Sequence, residues 1–252
     1  MYISLPNHLH FKWAKKSLET GLNVIVEKPA TINFLDSENL VELSLKKNLC
    51  LAESIVWPFH PIIDIVKNNL NLAQNKLIVV NASFTVPSFK SDNFRNFSEY
   101  GGGAFNDMSA YAASIGRVLF NKEPTSISGK QLAFDESTHI NTCFSIKLEF
   151  GKNKIVKGVF GFGLDYQNNI EINGSNFLFE LNRVFSPPAD IEIPLKTRKN
   201  SLFTEKFYKG DAYAQFFESM LATYKTKEKI EWSNNLLKDA TISNKLKPLI
   251  IS

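Results

Sequence analysis

The sequence predicts a doubly wound α/β segment followed by an α+β region built on a large, mostly antiparallel open sheet. Three observations carry that prediction: strand and helix patterns alternate through the first fifty or so residues, strand patterns separated by turn residues crowd the second half, and a glycine triplet between them runs straight into a helix.

The alternation begins at once. Tyr2-Ile3-Ser4-Leu5 reads as a short apolar strand that Pro6-Asn7 breaks. A helix follows, with Asn7 as N-cap, Trp13, Ala14 and Leu18 at helical spacing, and Gly21 where a terminating glycine belongs. Asn23-Val24-Ile25-Val26 is the continuous apolar run expected of a parallel strand covered on both faces, and it ends in Glu27-Lys28-Pro29. Asp36 or Ser37 opens the next helix, with Leu40, Val41 and Leu45 inward, and Asn48 closes it before the strand Leu49-Cys50-Leu51-Ala52. Ligands of such sheets bind beyond the carboxyl ends of the strands. In this chain those ends carry Pro6-Asn7-His8-Leu9-His10, Glu27-Lys28-Pro29 and Glu53-Ser54, three polar clusters on one rim.

After Trp57-Pro58-Phe59-His60-Pro61 the grammar changes. Ile62, Ile65, Val66 and Leu70 outline a helix, Gln74-Asn75-Lys76 punctuates, and Leu77 to Val86 reads as a long strand. Ser126 to Leu132, Ile140 to Phe150, Ile155 to Phe162, Asn169 to Asn173 and Phe177 to Leu181 have strand character, and Gly151-Lys152-Asn153 and Asn173-Gly174 favour hairpins between them. Near the end, Asp211 to Tyr224 places Tyr213, Phe216, Phe217 and Met220 at helical spacing as core residues, and Ser233 to Leu246 is a weaker helix.

Gly101-Gly102-Gly103 opens a helix on which Asp107 and Tyr111, four residues apart, project from one face. Three glycines let a chain segment or a ligand approach the backbone closely. Two readings stay open: a substrate-facing wall with Tyr111 as proton donor or acceptor and Asp107 as its hydrogen-bonding companion, or an amphipathic helix whose acid and phenol merely cap a core.

Composition narrows the function classes. With 252 residues, 44% of them hydrophobic, the chain can bury one large or two ordinary cores. A net charge of +4 with lysines scattered among acids does not describe a nucleic-acid surface. No apolar run reaches the roughly 18 residues of a membrane span, and Met1 to Pro6 lacks the basic and apolar regions of a signal peptide, so a cytoplasmic protein is expected. Cys50 and Cys143 have no CxxC or Cys/His company and are expected as buried thiols. His8, His10 and His60 lack metal-ligand spacing, so no metal is expected.

Taken together, Pro6-Asn7-x-x-His10, Glu27-Lys28-Pro29, Glu53 followed by His60-Pro61, and Gly101-Gly102-Gly103-Ala104 with Asp107 and Tyr111 resemble the glucose-fructose oxidoreductase / inositol dehydrogenase (Gfo/Idh/MocA) family over nearly the whole chain. That resemblance implies an oxidoreductase binding NAD or NADP through a Rossmann domain and acting on the CH–OH group of a sugar, cyclitol or related polyol, with a C-terminal open sheet that often mediates homo-oligomerisation. It assigns residues 1–56 to the Rossmann portion and 57–252 to the substrate-binding and oligomerisation domain, with the last helices free to pack back on the first. Carried over residue by residue, Lys28 reaches the nicotinamide ribose and the substrate hydroxyl, Asp107 orients the substrate, and Pro6, Asn7, His10, Glu27 and Pro29 line the cofactor cleft with Lys28.

Tyr111 resembles the tyrosine-containing branch that includes xylose and dihydrodiol dehydrogenases. To act as a base near neutral pH its phenol, ordinarily near 10, has to be lowered by Lys28. Pro58 stands where many relatives carry an arginine. No G-x-G-x-x-G turn or ribose-binding acid precedes Tyr2, so the parallel sheet is expected as the second half only of a Rossmann fold, N-terminally truncated, with dinucleotide affinity impaired. The alternative is a non-catalytic sugar-binding or oligomer-forming subunit derived from the same family.

Overall fold

The computed structural model of the protein describes residues 1–71 and 76–251, so Gln74 and Asn75 of the punctuating run lie outside the described residues. Strands β1 (Tyr2–Ile3), β2 (Val24–Val26) and β3 (Leu51–Glu53) pair in parallel, in that order, as a small three-stranded sheet. Helices α1 (Asn7–Glu19) and α2 (Phe34–Lys46) alternate with them. Alternate strand residues settle which face meets which helix. Ile3, Val24, Val26 and Leu51 bury against Ala14, Leu18, Leu40 and Val41, while Ile25 and Ala52 face the other way. The helix starts shift from expectation by capping chemistry. Asn33, not Asp36, caps α2 by accepting the Asp36 N–H, and Pro6 precedes α1, so Asn7 is already helical.

Helix α3 (Pro61–Asn71) then leads to an eight-stranded sheet. Its strands are β4 (Ile78–Val86), β5 (Ser126–Asp135), β6 (Ile140–Glu149), β7 (Lys154–Phe162), β8 (Gln167–Gly174), β9 (Phe177–Asn182), β10 (Ile193–Lys199) and β11 (Leu202–Tyr208). They run in the order β11-β10-β9-β8-β4-β7-β6-β5, antiparallel throughout except where β4 lies parallel to β7. Helix α4 (Ala104–Phe120) connects β4 to β5 and packs on the β6–β7 face, with Phe105 edge-on to Phe144 at 5.3 Å. Two strands escaped the sequence pattern. In β10 and β11 charges interrupt the alternation, and their two-residue turn is Asn200-Ser201, both at positive φ, in place of the usual glycine.

The last two helices return to the parallel sheet. Helix α5 (Ala212–Thr223) lays Ala212 and Phe216 on Ile25 and Ala52, with Phe217 and Met220 partly buried against them. Tyr213, expected in the core, is instead 43% exposed because it lies on the outer side of the helix. Helix α6 runs Lys229–Ile250, longer than its sequence pattern. It inserts Leu236 among Val24, Val26 and Leu40, and it sends Ile242, Leu246 and Ile250 into the core of the large sheet. A helix buried on two sides has no single apolar stripe, which is why its periodicity is weak. Asp239, 1% exposed, locks α6 to α4 through a bidentate pair with Arg117, whose Nε and Nη2 donate at 2.9 and 2.5 Å. Cys50 and Cys143 are free and buried, and burial pushes the Cys50 thiol up to about 11. Among the described residues no helix is long and apolar enough to cross a membrane.

Candidate functional site

The three strand ends of the parallel sheet meet as expected, and hydrogen bonds fix their loops to one another. His10, 1% exposed, lies beneath the rim with Nδ1 2.7 Å from the Pro29 carbonyl and Nε2 2.6 Å from the Leu5 carbonyl. It ties the first loop to the second and does not line an open cleft. Asn7, also buried, donates its Nδ2 to the Gly101 carbonyl at 3.0 Å and so joins the rim to the glycine turn. Glu27 accepts a hydrogen bond from the Tyr2 phenol. Pro6 and Pro29 shape the two loops, Pro29 through a cis peptide after Lys28.

Glu53 completes the clamp, since its Oε1 accepts from the Ala30 amide at 2.7 Å. Burial pushes the Glu53 carboxyl up from an ordinary 4.5 to about 7. A carboxyl raised in the folded state gives stability that is complete below pH about 4.5 and is lost as pH rises through about 7. The loss is on the order of 3 kcal/mol. Glu53→Gln keeps an acceptor for Ala30 without the charge. It should match the native protein in urea denaturation at pH 4.5 and be the more stable of the two at pH 8. Equal stability at both pH values would refute the assignment.

The rim points Lys28 across to α4. Its Nζ lies 2.9 Å from both the main-chain carbonyl and Oδ1 of Asp107, and 5.1 Å from the centroid of the Tyr111 ring. The cluster is nearly closed, with 13% of the Lys28 side chain and 7% of the Asp107 side chain exposed. Burial alone would raise the Asp107 carboxyl. The charges of Lys28 and Arg95 outweigh it and hold the group below the ordinary carboxylate value.

For Tyr111 the balance runs the other way, against the expectation that Lys28 lowers it. Burial first, then the charges of Asp107 and Glu27, push the phenol above its ordinary value. The ammonium faces the ring and not the hydroxyl, and Phe84 and Phe185 pack around the ring with centroids at 5.2 and 5.6 Å. Such a phenol keeps its proton near neutral pH and is chemically a donor.

The glycine triplet receives chain. The Gly102 and Gly103 amides donate to the carbonyls of Phe97 and Arg95, each at 2.9 Å. A Cβ on Gly102 would sit 2.5 Å from the Arg95 carbonyl oxygen and 2.6 Å from that of Phe97. The segment from 87 to 100 is thereby pressed onto the start of α4. It brings in Arg95, which the sequence did not single out, with Nε 3.2 Å from Asp107 Oδ2. Only its place six residues before the triplet marks it in the sequence, and in a polar loop that spacing carries no periodic signal.

A parallel rim thus presents a lysine to an acid and a phenol, backed by an open and mostly antiparallel sheet. Residues 1–54 match the profile of an oxidoreductase family with an NAD-binding Rossmann fold, and residues 75–179 match the Gfo/Idh/MocA C-terminal domain. The chain belongs to the Gfo/Idh/MocA oxidoreductase family.

Among its relatives, a dTDP-3,4-didehydro-2,6-dideoxy-α-D-glucose 3-reductase of Saccharopolyspora spinosa is 28% identical over 81% of this chain and 62% of that protein. The chain therefore spans about three fifths of the length of that relative. A D-xylose 1-dehydrogenase (NADP(+)) of Haloferax volcanii is 25% identical over 90% of this chain and 70% of its own. In fold, the chain superposes on a 3-ketoreductase of Actinomadura kijaniata, crystallised with NADP and TDP-benzene, with a TM-score of 0.87 and 24% identity over 99% of this chain and 77% of that one.

Proposed function

We propose that the chain carries the catalytic and substrate-binding part of an NAD(P)-dependent oxidoreductase. The reacting centre is a carbinol or ketone carbon of a sugar, cyclitol or related polyol, and the favoured direction is carbonyl reduction. One observation carries the reading: the Lys28 ammonium is held at the strand rim between the Asp107 carboxylate and the face of Tyr111.

The residues present fit the nicotinamide end of a dinucleotide. Lys28 and Glu27 stand at the end of β2, and the first turn of α1 beside them has no side-chain cap. The dinucleotide, when bound, supplies the hydride. The chain's own residues handle charge and position. Lys28 stabilises the negative charge that develops on the substrate oxygen. Tyr111, its phenol held protonated, delivers the proton to that oxygen, and Asp107 orients Lys28 and a neighbouring hydroxyl. Relatives that reduce a keto sugar or oxidise xylose support this substrate class. The two buried free thiols suit a reducing cytoplasm. Exposed Leu202, Phe203 and Phe207 on β11 and Leu132 and Phe134 on β5 support a homo-oligomer formed through the large sheet.

The test is reduction of a panel of keto sugars by the purified chain with NADPH or NADH, followed through the nicotinamide absorbance. Turnover is expected when the nicotinamide is supplied in large excess to offset the impaired dinucleotide affinity, and Tyr111→Phe should lower it by about 10²-fold or more, in the range of lost acid–base catalysis. No turnover on any member of the panel, or turnover indifferent to Tyr111→Phe, would overturn the reading.

A further inference from the structure

Two cations surround one carboxylate in this site. Lys28 already satisfies Asp107 with an aligned 2.9 Å hydrogen bond, and Arg95 adds a second positive charge 3.2 Å away. Only the Nε edge of that second cation faces the carboxylate, and the Arg95 side chain is 26% exposed. Arg95 Nε is buried without an aligned acceptor, and among the described residues neither Nη makes a hydrogen bond to a protein group. An arginine offers a planar fork of five donors, and here only Nε is buried without an aligned partner.

Its position is set by other means. The guanidinium lies over Phe94 at 4.5 Å and Phe89 at 5.2 Å, the Asn93 side chain caps its own amide at 3.0 Å, and its carbonyl is pinned by Gly103. Beside it opens a groove of about 870 Å³ that Phe89, Asn96 and Phe97 share with the β5–β6 hairpin, wide enough for a group larger than one sugar ring. Its lining includes the acids Asp135 and Glu136 and no lysine or arginine, so Arg95 stands beside the groove and not within its wall.

We infer that Arg95 is the receptor for an anionic group, a phosphoryl or a carboxylate, carried by the sugar that reacts at Lys28 and Tyr111, with the remainder of the substrate running into the groove. A fork held rigid by aromatic faces, with free donors, matches a tetrahedral or planar oxyanion. This inference rests on the sugar oxidoreductase reading for the placement of the ring, and its test uses binding alone so that the two can fail separately.

The 252-residue chain is titrated calorimetrically with glucose, glucose 1-phosphate and glucuronate, without cofactor, at low and moderate salt. At least one anionic sugar is expected to bind tenfold or more tightly than glucose, with the preference shrinking as salt rises. The phosphate and carboxylate arms identify which anion fits. Arg95→Met should erase the preference, Arg95→Lys should keep part of it, and thermal melts establish that both variants are folded. Asp107→Asn removes the competing carboxylate and should widen the ratio between the affinities for the preferred anionic sugar and for glucose. Equal affinities for the three sugars, no binding of any of them, or a preference that survives in folded Arg95→Met would each overturn the inference. An Arg95-dependent preference in a chain that turns over no keto sugar would instead count against the catalytic reading and leave the anion site standing.

Discussion

Lys28→Met is expected to lower NAD(P)H-dependent carbonyl reduction by about 10²- to 10³-fold, the size of effect seen when a preorganised group that meets developing charge is removed. The substitution keeps the length and packing of the side chain and removes only the ammonium. Arg95 remains beside Asp107, so the carboxylate is not stranded and the helix that bears Tyr111 stays in place. The rim loop is held by His10 and Glu53, not by Lys28 itself, which keeps the backbone geometry intact. The loss should therefore fall on kcat, with little change in unfolding temperature. A Lys28→Met protein with near-native kcat would remove Lys28 from the chemistry, and one that failed to fold would mean its contacts to Asp107 are structural first.

Asp239→Ala should destabilise the chain by about 3–5 kcal/mol, because it leaves the Arg117 guanidinium charged and unpaired in the interior. Asp239 is buried on α6, and its two carboxylate oxygens both accept from Arg117 on α4. The paired change Arg117→Met with Asp239→Leu fills similar volume without either charge and should recover most of the loss. Urea denaturation of the three proteins separates the outcomes. A single variant as stable as the native protein would mean that water reaches Arg117 and screens it.

The parallel sheet was legible in the sequence because its strands are continuous apolar runs and their ends carry turn residues; helical spacing put Asp107 and Tyr111 on one face, and only the resemblance to the family brought Lys28 to them. The helices at the end were harder. Phe216 and Phe217 lie at helical spacing and announce α5, whereas α6 divides its apolar residues between two cores and shows no single stripe. Strands β10 and β11 carry charges on their exposed positions and turn through Asn200-Ser201, a pair that does not read as a hairpin without its backbone angles.

Within the site, the sequence named the residues of the motifs but not their tasks. His10 and Asn7 look like cleft residues in one dimension and prove to be ties between loops, because only the fold shows that their partners are main-chain carbonyls. The direction of the Tyr111 shift was equally out of reach. It depends on how deeply the ring is buried and on which face Lys28 approaches, and neither quantity is written in the spacing of Asp107 and Tyr111. Arg95 reaches Asp107 only through a loop folded onto three glycines, a contact no periodicity encodes.

Helix α6 also decides how the molecule can breathe. With Leu236 seated under one sheet and Leu246 under the other, the helix is a common axle, and neither sheet can swing away from its neighbour without drawing a leucine out of its socket. Hinge closure of two halves, the motion by which many two-part enzymes sequester a reaction, is therefore stiffened in this chain. The short stretch from 87 to 100 is held by two amide bonds and one ion pair at the glycine turn, and also by Phe89 packed edge-on to Phe162 of the large sheet. The proposed anion receptor thus stands on chain moored to the glycine turn and to the large sheet, so that Arg95 is presented from a fixed position.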